Sequence, residues 1–184
     1  EVAPLLALRR KLFKEYDAKY FDQYEIFGAY YSDIQKMASK FDAVVTRSDQ
    51  LWSPAGLGTN FYNLMFVPDE VMKLSFASSF GVSQIPWYQK RATAKYLQRI
   101  NYVSCRENRG AEIVKELTGR DVPVLMDPVF AFDKEQWGKL VPEEKVYNEP
   151  YIFCYFLGSN IAYREAVKKF AKEKEMKIVF LKFL

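Results

Sequence analysis

The chain contains no histidine. The commonest neutral-pH acid/base and metal ligand is therefore missing from whatever chemistry it performs. Cysteine is scarce: Cys105 and Cys154 are the two present, far apart in apolar, strand-like runs. No paired framework exists, so they read as buried free thiols in a reducing compartment. With no CxxC and only scattered carboxylates, neither a metal site nor a cofactor is expected. No apolar run reaches the roughly 18 residues of a membrane span, and the opening "EVAPLLALRRKLFKEY" lacks the charged-then-apolar order of a signal peptide. The expectation is a cytoplasmic protein without a transmembrane segment. Walker and GxGxxG loops, repeats and low-complexity tracts are also missing.

What is present sets the class. At 184 residues, 49% hydrophobic and 17% aromatic, the chain can bury a core and fold as one domain with part of a second. That excludes a disordered tail and a disulfide-framed miniprotein. The formal net charge of +4 is spread among charges of both signs, so it suits anionic small molecules as well as nucleic acid. Tyr151, Phe153 and Tyr155 alternate along one run with no interleaved Arg/Lys pattern. They read as core, and no nucleic-acid partner is expected.

Periodicity predicts a helix over Leu5 to Tyr20, then an aromatic connector (Tyr24, Phe27, Tyr30, Tyr31). A short helix to about Lys40 follows, capped by Ser32 with Asp33 at its positive end. Strands are expected at Ala43 to Thr46, Val71 to Ala77, Tyr102 to Cys105 and "VPVLM", with helices from Trp87 to Arg99 and over "ENRGAEIVKELTG", the latter closed by Gly119. This alternation predicts an α/β fold with a doubly wound parallel sheet. The polar, proline-bounded "VPEEKVYNEP" reads as a connector, dividing an amino-terminal lobe (1–145) from a second (146–184). In the latter, Tyr151 to Phe156 and Lys177 to Leu181 read as strands around a helix from Tyr163 to Lys174. Both ends read as cut: the first lobe lacks a first strand and the second an finished sheet.

Polar clusters follow the expected strands. "SDQLW" places Ser48, Asp49, Gln50 and Trp52 after the first; the residues could line a cleft, or cap a turn with Trp52 in the core. "SFASSFG" puts Ser78, Ser79 and Gly81 where hydroxyls and backbone N–H groups could hold an anion. In "VSCREN", Arg106 at a strand end could clamp a carboxylate or phosphate bidentately, or pair with Glu107 or Asp127 to fasten the sheet. In "LMDPVF", Asp127 could serve as an acid/base group, although Asp before Pro more often makes a turn.

Taken in order, "FDAVVTRSDQLWSP", "KLSFASSFG", "YVSCREN", "VLMDPVF" and "YIFCYFLG" resemble the polysaccharide pyruvyl transferase family, well over about Phe41 to Leu157. The resemblance implies one lobe plus part of a second of a two-lobed, glycosyltransferase-B-like fold. It also implies transfer of a pyruvyl group, as a ketal, from phosphoenolpyruvate to a sugar of a cell-surface or exopolysaccharide precursor. Carried over residue by residue, Arg106 becomes the donor clamp and Asp49 orients the acceptor or a clamp residue; these two are the expected catalytic residues. Arg47, Ser48, Gln50, Trp52, Ser78, Ser79, Gly81 and Glu107 become substrate-binding, with Trp52 packing on a sugar face or supporting the loop. Arg47 stands where the family has glycine and Ser53 where it has asparagine, and the family's second-lobe histidine has no counterpart. The expectation is therefore a fragment, inactive alone. The alternatives are a nucleotide-sugar glycosyltransferase and a non-catalytic glycan-binding lobe.

Overall fold

A computed structural model describes residues 2–21, 30–56, 61–140 and 147–181. Tyr24 and Phe27 of the expected connector, residues 57–60 of the loop after Trp52, and residues 141–146 of "VPEEKVYNEP" lie outside the described residues. The fold is mixed α/β with parallel strands, and none of the described helices is long and apolar enough to cross a membrane. The chain divides into two compact units, Glu1–Ala131 and Phe132–Leu184.

The first unit opens with α1 (Val2–Tyr20) and α2 (Tyr31–Ala38). Ser32 does not cap α2. The chain enters extended at Tyr30 (φ −69°, ψ 146°), and the Tyr30 carbonyl already accepts the Asp33 and Ile34 N–H groups, leaving Ser32 inside the first turn. Strand β1 (Ala43–Arg47) pairs in parallel with β2 (Met72–Phe76), Ala43 opposite Met72 and Arg47 opposite Phe76. Helix α3 (Lys90–Arg99) begins later than the expected Trp87, because Trp87 and Tyr88 lie in a turn closed by the Gln89 N–H on the Pro86 carbonyl. Helix α4 (Asn108–Thr118) ends as its sequence predicts, on Gly119 at φ 75° with its N–H on the Lys115 carbonyl.

The expected third and fourth strands continue the sheet through single parallel bridges, Leu74 to Tyr102, Ser78 to Cys105 and Cys105 to Val124. Two chemical facts keep them from becoming full ladders. The Ala77 N–H donates to the Ser104 hydroxyl instead of a backbone carbonyl, and Pro123 has no N–H to give. Side chains reinforce the backbone bonds that remain: Ser75 and Ser104 each donate a hydroxyl to the other's carbonyl, at 2.9 and 2.7 Å. The helices of a doubly wound sheet would cover both faces, yet here α3 and α4 pack in one core cluster with Val103 and Cys105. On the opposite face Val45, Phe76 and Tyr102 are 52%, 40% and 63% exposed.

The core combines Trp52 and Phe80 from the strand-end loops with Tyr96 and Leu97 of α3 and Ile113 and Val114 of α4. Two cations, one of them buried, fasten the surrounding chain. Lys73, only 2% exposed, donates to the carbonyls of Pro68 (2.7 Å) and Val71 (2.9 Å), and burial pulls its ammonium below the usual lysine range. Arg120 closes the end of α3 by donating to the carbonyls of Leu97, Ile100 and Asn101, groups that a helix terminus leaves without partners. Both cysteines are free and buried.

The second unit begins with α5 (Lys134–Gly138), started by a reciprocal capping box between Asp133 and Gln136. A β-α-β segment follows: β3 (Tyr151–Tyr155), α6 (Ile161–Glu173) with the Asn160 carbonyl side chain accepting from Tyr163 N, and β4 (Lys177–Leu181). The two strands run parallel with Tyr151 opposite Lys177.

Trp52 has no exposed surface and meets Phe80 and Tyr96 at ring-centroid distances of 5.2 and 5.8 Å. Trp52→Ala is expected to cost ~3–5 kcal/mol of stability in urea denaturation, as large core truncations do. A loss below ~0.5 kcal/mol, typical of surface positions, would remove Trp52 from the core.

Candidate functional site

Parallel pairing aligns the carboxyl ends of the strands, and the chain leaves two neighbouring ends through strained backbone. Ser48 (φ 36°) and Asp49 (φ 73°) follow β1, and Ala77 (φ 50°) follows β2. Left-handed backbone at residues other than glycine costs of order 1–3 kcal/mol each and concentrates at functional sites. The turns are held in place by backbone bonds from Ser48 N to Phe76 O (2.9 Å), Ser79 N to Asp49 O (3.0 Å) and Trp52 N to Ser79 O (3.1 Å).

Two polar groupings result. In one, the Ser48 hydroxyl donates a hydrogen bond to Asp127 Oδ2, and Arg106 Nη1 approaches the same oxygen at 3.4 Å. The other carboxylate oxygen accepts from Val129 N at 3.1 Å. Asp127 therefore makes the expected Asp-Pro turn and also joins the β1 loop to the arginine. The Ser48 hydroxyl foremost, then the Val129 N–H, and then Arg106 stabilise its charged form and hold the carboxyl below the usual range. It is ionised at neutral pH and is no reservoir of protons. Arg106 itself is about one-third exposed, with its backbone N–H on the Ser78 carbonyl. Among the described residues its side chain meets one carboxylate, Asp127, through one long contact, which leaves most of the donor fork for an oxyanion.

The second grouping centres on Glu107. Its Oε1 accepts from the Ser79 hydroxyl (3.0 Å) and from Phe80 N (3.1 Å), while Ser79 Oγ accepts from Gly81 N (3.0 Å). Gly81 lies at φ 63°, with the Gln50 side chain so close that an added Cβ would come within 2.6 Å of Gln50 Cδ. Asp49 is exposed and accepts from Gln50 N at 2.8 Å. Arg47 is exposed at the end of β1, on the strand face it shares with Val45.

The structure thus brings Ser48 and Arg106 together through Asp127, and gathers Asp49, Gln50, Ser79, Gly81 and Glu107 alongside through backbone and side-chain bonds. Two expected wall residues are elsewhere. Trp52 is core, because it fills the space between the β1 loop and α3, and Ser78 has no exposed surface. Of the two roles the sequence left for Trp52, its burial leaves the support of the loop. Asp127, which the sequence offered as an acid/base group, a turn residue or a partner of Arg106 but which was not among the expected site residues, is the residue that joins the site, and the Arg106–Asp127 pair is one of the alternatives that the sequence left open. Cys105 is no nucleophile: burial, with the Glu107 charge second, pushes its thiol up to about 12.

The fold and these groupings define a parallel α/β protein with an arginine-bearing polar site at the carboxyl ends of its strands. Residues 6–184 match the family model of polysaccharide pyruvyl transferase, and the chain belongs to that family. Membership makes it one of the transferases of polysaccharide biosynthesis and implies a sugar or polysaccharide acceptor. No curated protein and no solved structure matches the chain significantly.

Two outcomes test the geometry. Because folding lowers the Asp127 pKa, its contribution to stability is present above the usual carboxylate value of about 3.9 and lost as pH falls through the lower folded value. Asp127→Asn is therefore expected to be less stable than wild type at pH 7, with the gap between their urea midpoints closing as the pH is taken down to 2. A gap independent of pH would mean that the carboxylate is not charged in the way described. Gly81→Ala is expected to cost more than ~1 kcal/mol. Adding Gln50→Ala should recover the steric part and leave the part due to positive φ.

Proposed function

We propose that the chain carries the donor-binding site of an enzyme that transfers a pyruvyl group from phosphoenolpyruvate to a sugar of a cell-surface or exopolysaccharide precursor. The observation that carries this reading is the shared carboxylate of Asp127, on which Ser48 and Arg106 converge at the strand ends. In ketal formation, two sugar hydroxyl oxygens bond to C2 of the enol, one of their protons goes to C3, and the C2–O bond to phosphate breaks, phosphate leaving with the other proton. The donor brings a carboxylate and a phosphate that need a cationic, hydrogen-bonding clamp, and clamping must strengthen as charge gathers on the departing phosphate.

Arg106 is the clamp in this scheme. Asp127 fixes its direction through one nitrogen, leaving the remaining donors for the oxyanion. Asp49, exposed on the strained turn, takes the acceptor side together with Gln50, while Glu107 keeps the Ser79–Gly81 turn and its N–H groups in place. Arg47, exposed next to Ser48, adds positive potential at the entrance. The rest of the reading follows the family: a two-lobed, glycosyltransferase-B-like protein with its lobes divided near residue 145, working in the cytoplasm.

Donor binding is the direct test. Phosphoenolpyruvate at one hundred times its dissociation constant would stabilise the chain by about 2.7 kcal/mol. Arg106→Lys, which supplies a point charge in place of a planar fork, is expected to bind about tenfold more weakly and to gain only ~1.4 kcal/mol at the same concentration. Thermal-shift titration reads both. No response to phosphoenolpyruvate, or a response to nucleotide-sugars instead, would overturn the donor assignment.

A further inference from the structure

Trp87 is 84% exposed, the most open large apolar side chain among the described residues. Tyr88 beside it is 66% exposed, and the rings meet edge-on with centroids 5.9 Å apart and planes at 89°. Their surroundings are firmly built. Ile85, 5% exposed, anchors the segment in the core before the turn. Pro86 and Gln89 close the turn at 2.9 Å, Gln89 Nε2 donates to the Pro54 carbonyl at 3.2 Å, and α3 begins at the next residue.

That placement joins the ring pair to the candidate site from two directions. The segment leaves Gly81, over which Gln50 lies, and its far end is tied by Gln89 to the loop that carries Ser48 to Pro54. Exposed Ser83, Gln84, Lys90 and Arg91 flank it in the chain. The result is a small aromatic patch with a hydrophilic border, the size of one ring and not of a protein interface, which needs about 800 Å² from each partner.

We propose that Trp87, with Tyr88 at its edge, is the platform on which a pyranose ring of the acceptor glycan stacks. A pyranose presents an apolar face of C–H groups and keeps its hydroxyls at the rim. An indole can cover that face while the hydroxyls stay in water or meet the Tyr88 O–H, the amphipathic contact for which Trp and Tyr are suited. A phosphorylated or nucleotide donor would instead need cations at the centre of the patch. The inference rests on the sugar acceptor of the proposed function and supplies the stacking surface that buried Trp52 does not.

The test compares wild type, Trp87→Ala and Trp87→Phe on an array of neutral and acidic oligosaccharides, with phosphoenolpyruvate thermal shifts measured in parallel. The expected result is retention of a subset of glycans by wild type, loss of at least tenfold in Trp87→Ala, partial recovery in Trp87→Phe, and an unchanged phosphoenolpyruvate shift in all three. Unchanged far-UV circular dichroism in the variants accompanies it, since the side chain is exposed. Retention of no glycan by wild type, or equal retention by Trp87→Ala, overturns the platform. If glycan retention depends on Trp87 but phosphoenolpyruvate has no effect, the platform stands and the donor assignment falls. A phosphoenolpyruvate shift without Trp87-dependent retention gives the reverse.

Discussion

The parallel register of the sheet is the constraint from which the site follows. With Arg47 opposite Phe76, Ser78 bridged to Cys105 and Cys105 bridged to Val124, the places where the chain leaves each strand come to the same level. Ser48, Ser79, Arg106 and Asp127 are separated by as many as 79 positions in the chain, as Ser48 and Asp127 are, and meet because each follows its own strand. A shift of one residue in any pairing would turn its side chains to the other face and dissolve the convergence on the Asp127 carboxylate.

That register is maintained by polar contacts as much as by apolar packing. The reciprocal Ser75–Ser104 hydroxyl bonds add to the backbone bonds of the irregular third strand, and Lys73 and Arg120 satisfy carbonyls that loops and a helix end would otherwise leave without partners. Unpaired buried groups of this kind cost ~1–3 kcal/mol each, so satisfying them by side chains lets the strand ends stay irregular. Irregularity is what the site needs: the positive φ angles at Ser48, Asp49 and Ala77 put backbone and hydroxyl groups where a regular turn would not.

Much of the fold was legible locally. The Gly119 stop, the start of β1 at Ala43, and the strand-helix-strand order of residues 151–181 follow from periodicity and capping, which act over a few residues. Ser32 shows where local reading misleads: a good capping residue is overridden when the preceding tyrosine already has the extended backbone of a cap. Trp87 shows a second limit, since apolar residues next to a helix look like its first turn until the proline turn places them outside it. The ordered strand-end motifs were sufficient to reach the family, as the match over residues 6–184 shows.

The sequence by itself determined the α/β class, the parallel sense of the strands and the polar residue types at the strand ends, because these rest on short-range periodicity and on residue type. Only the tertiary structure decided the roles within that set. It took Trp52 into the core, left Trp87 in water, and gave Asp127 two partners in addition to its turn. Burial and side-chain convergence depend on residues distant in sequence that share one level of a sheet, and no local pattern encodes which of them will touch.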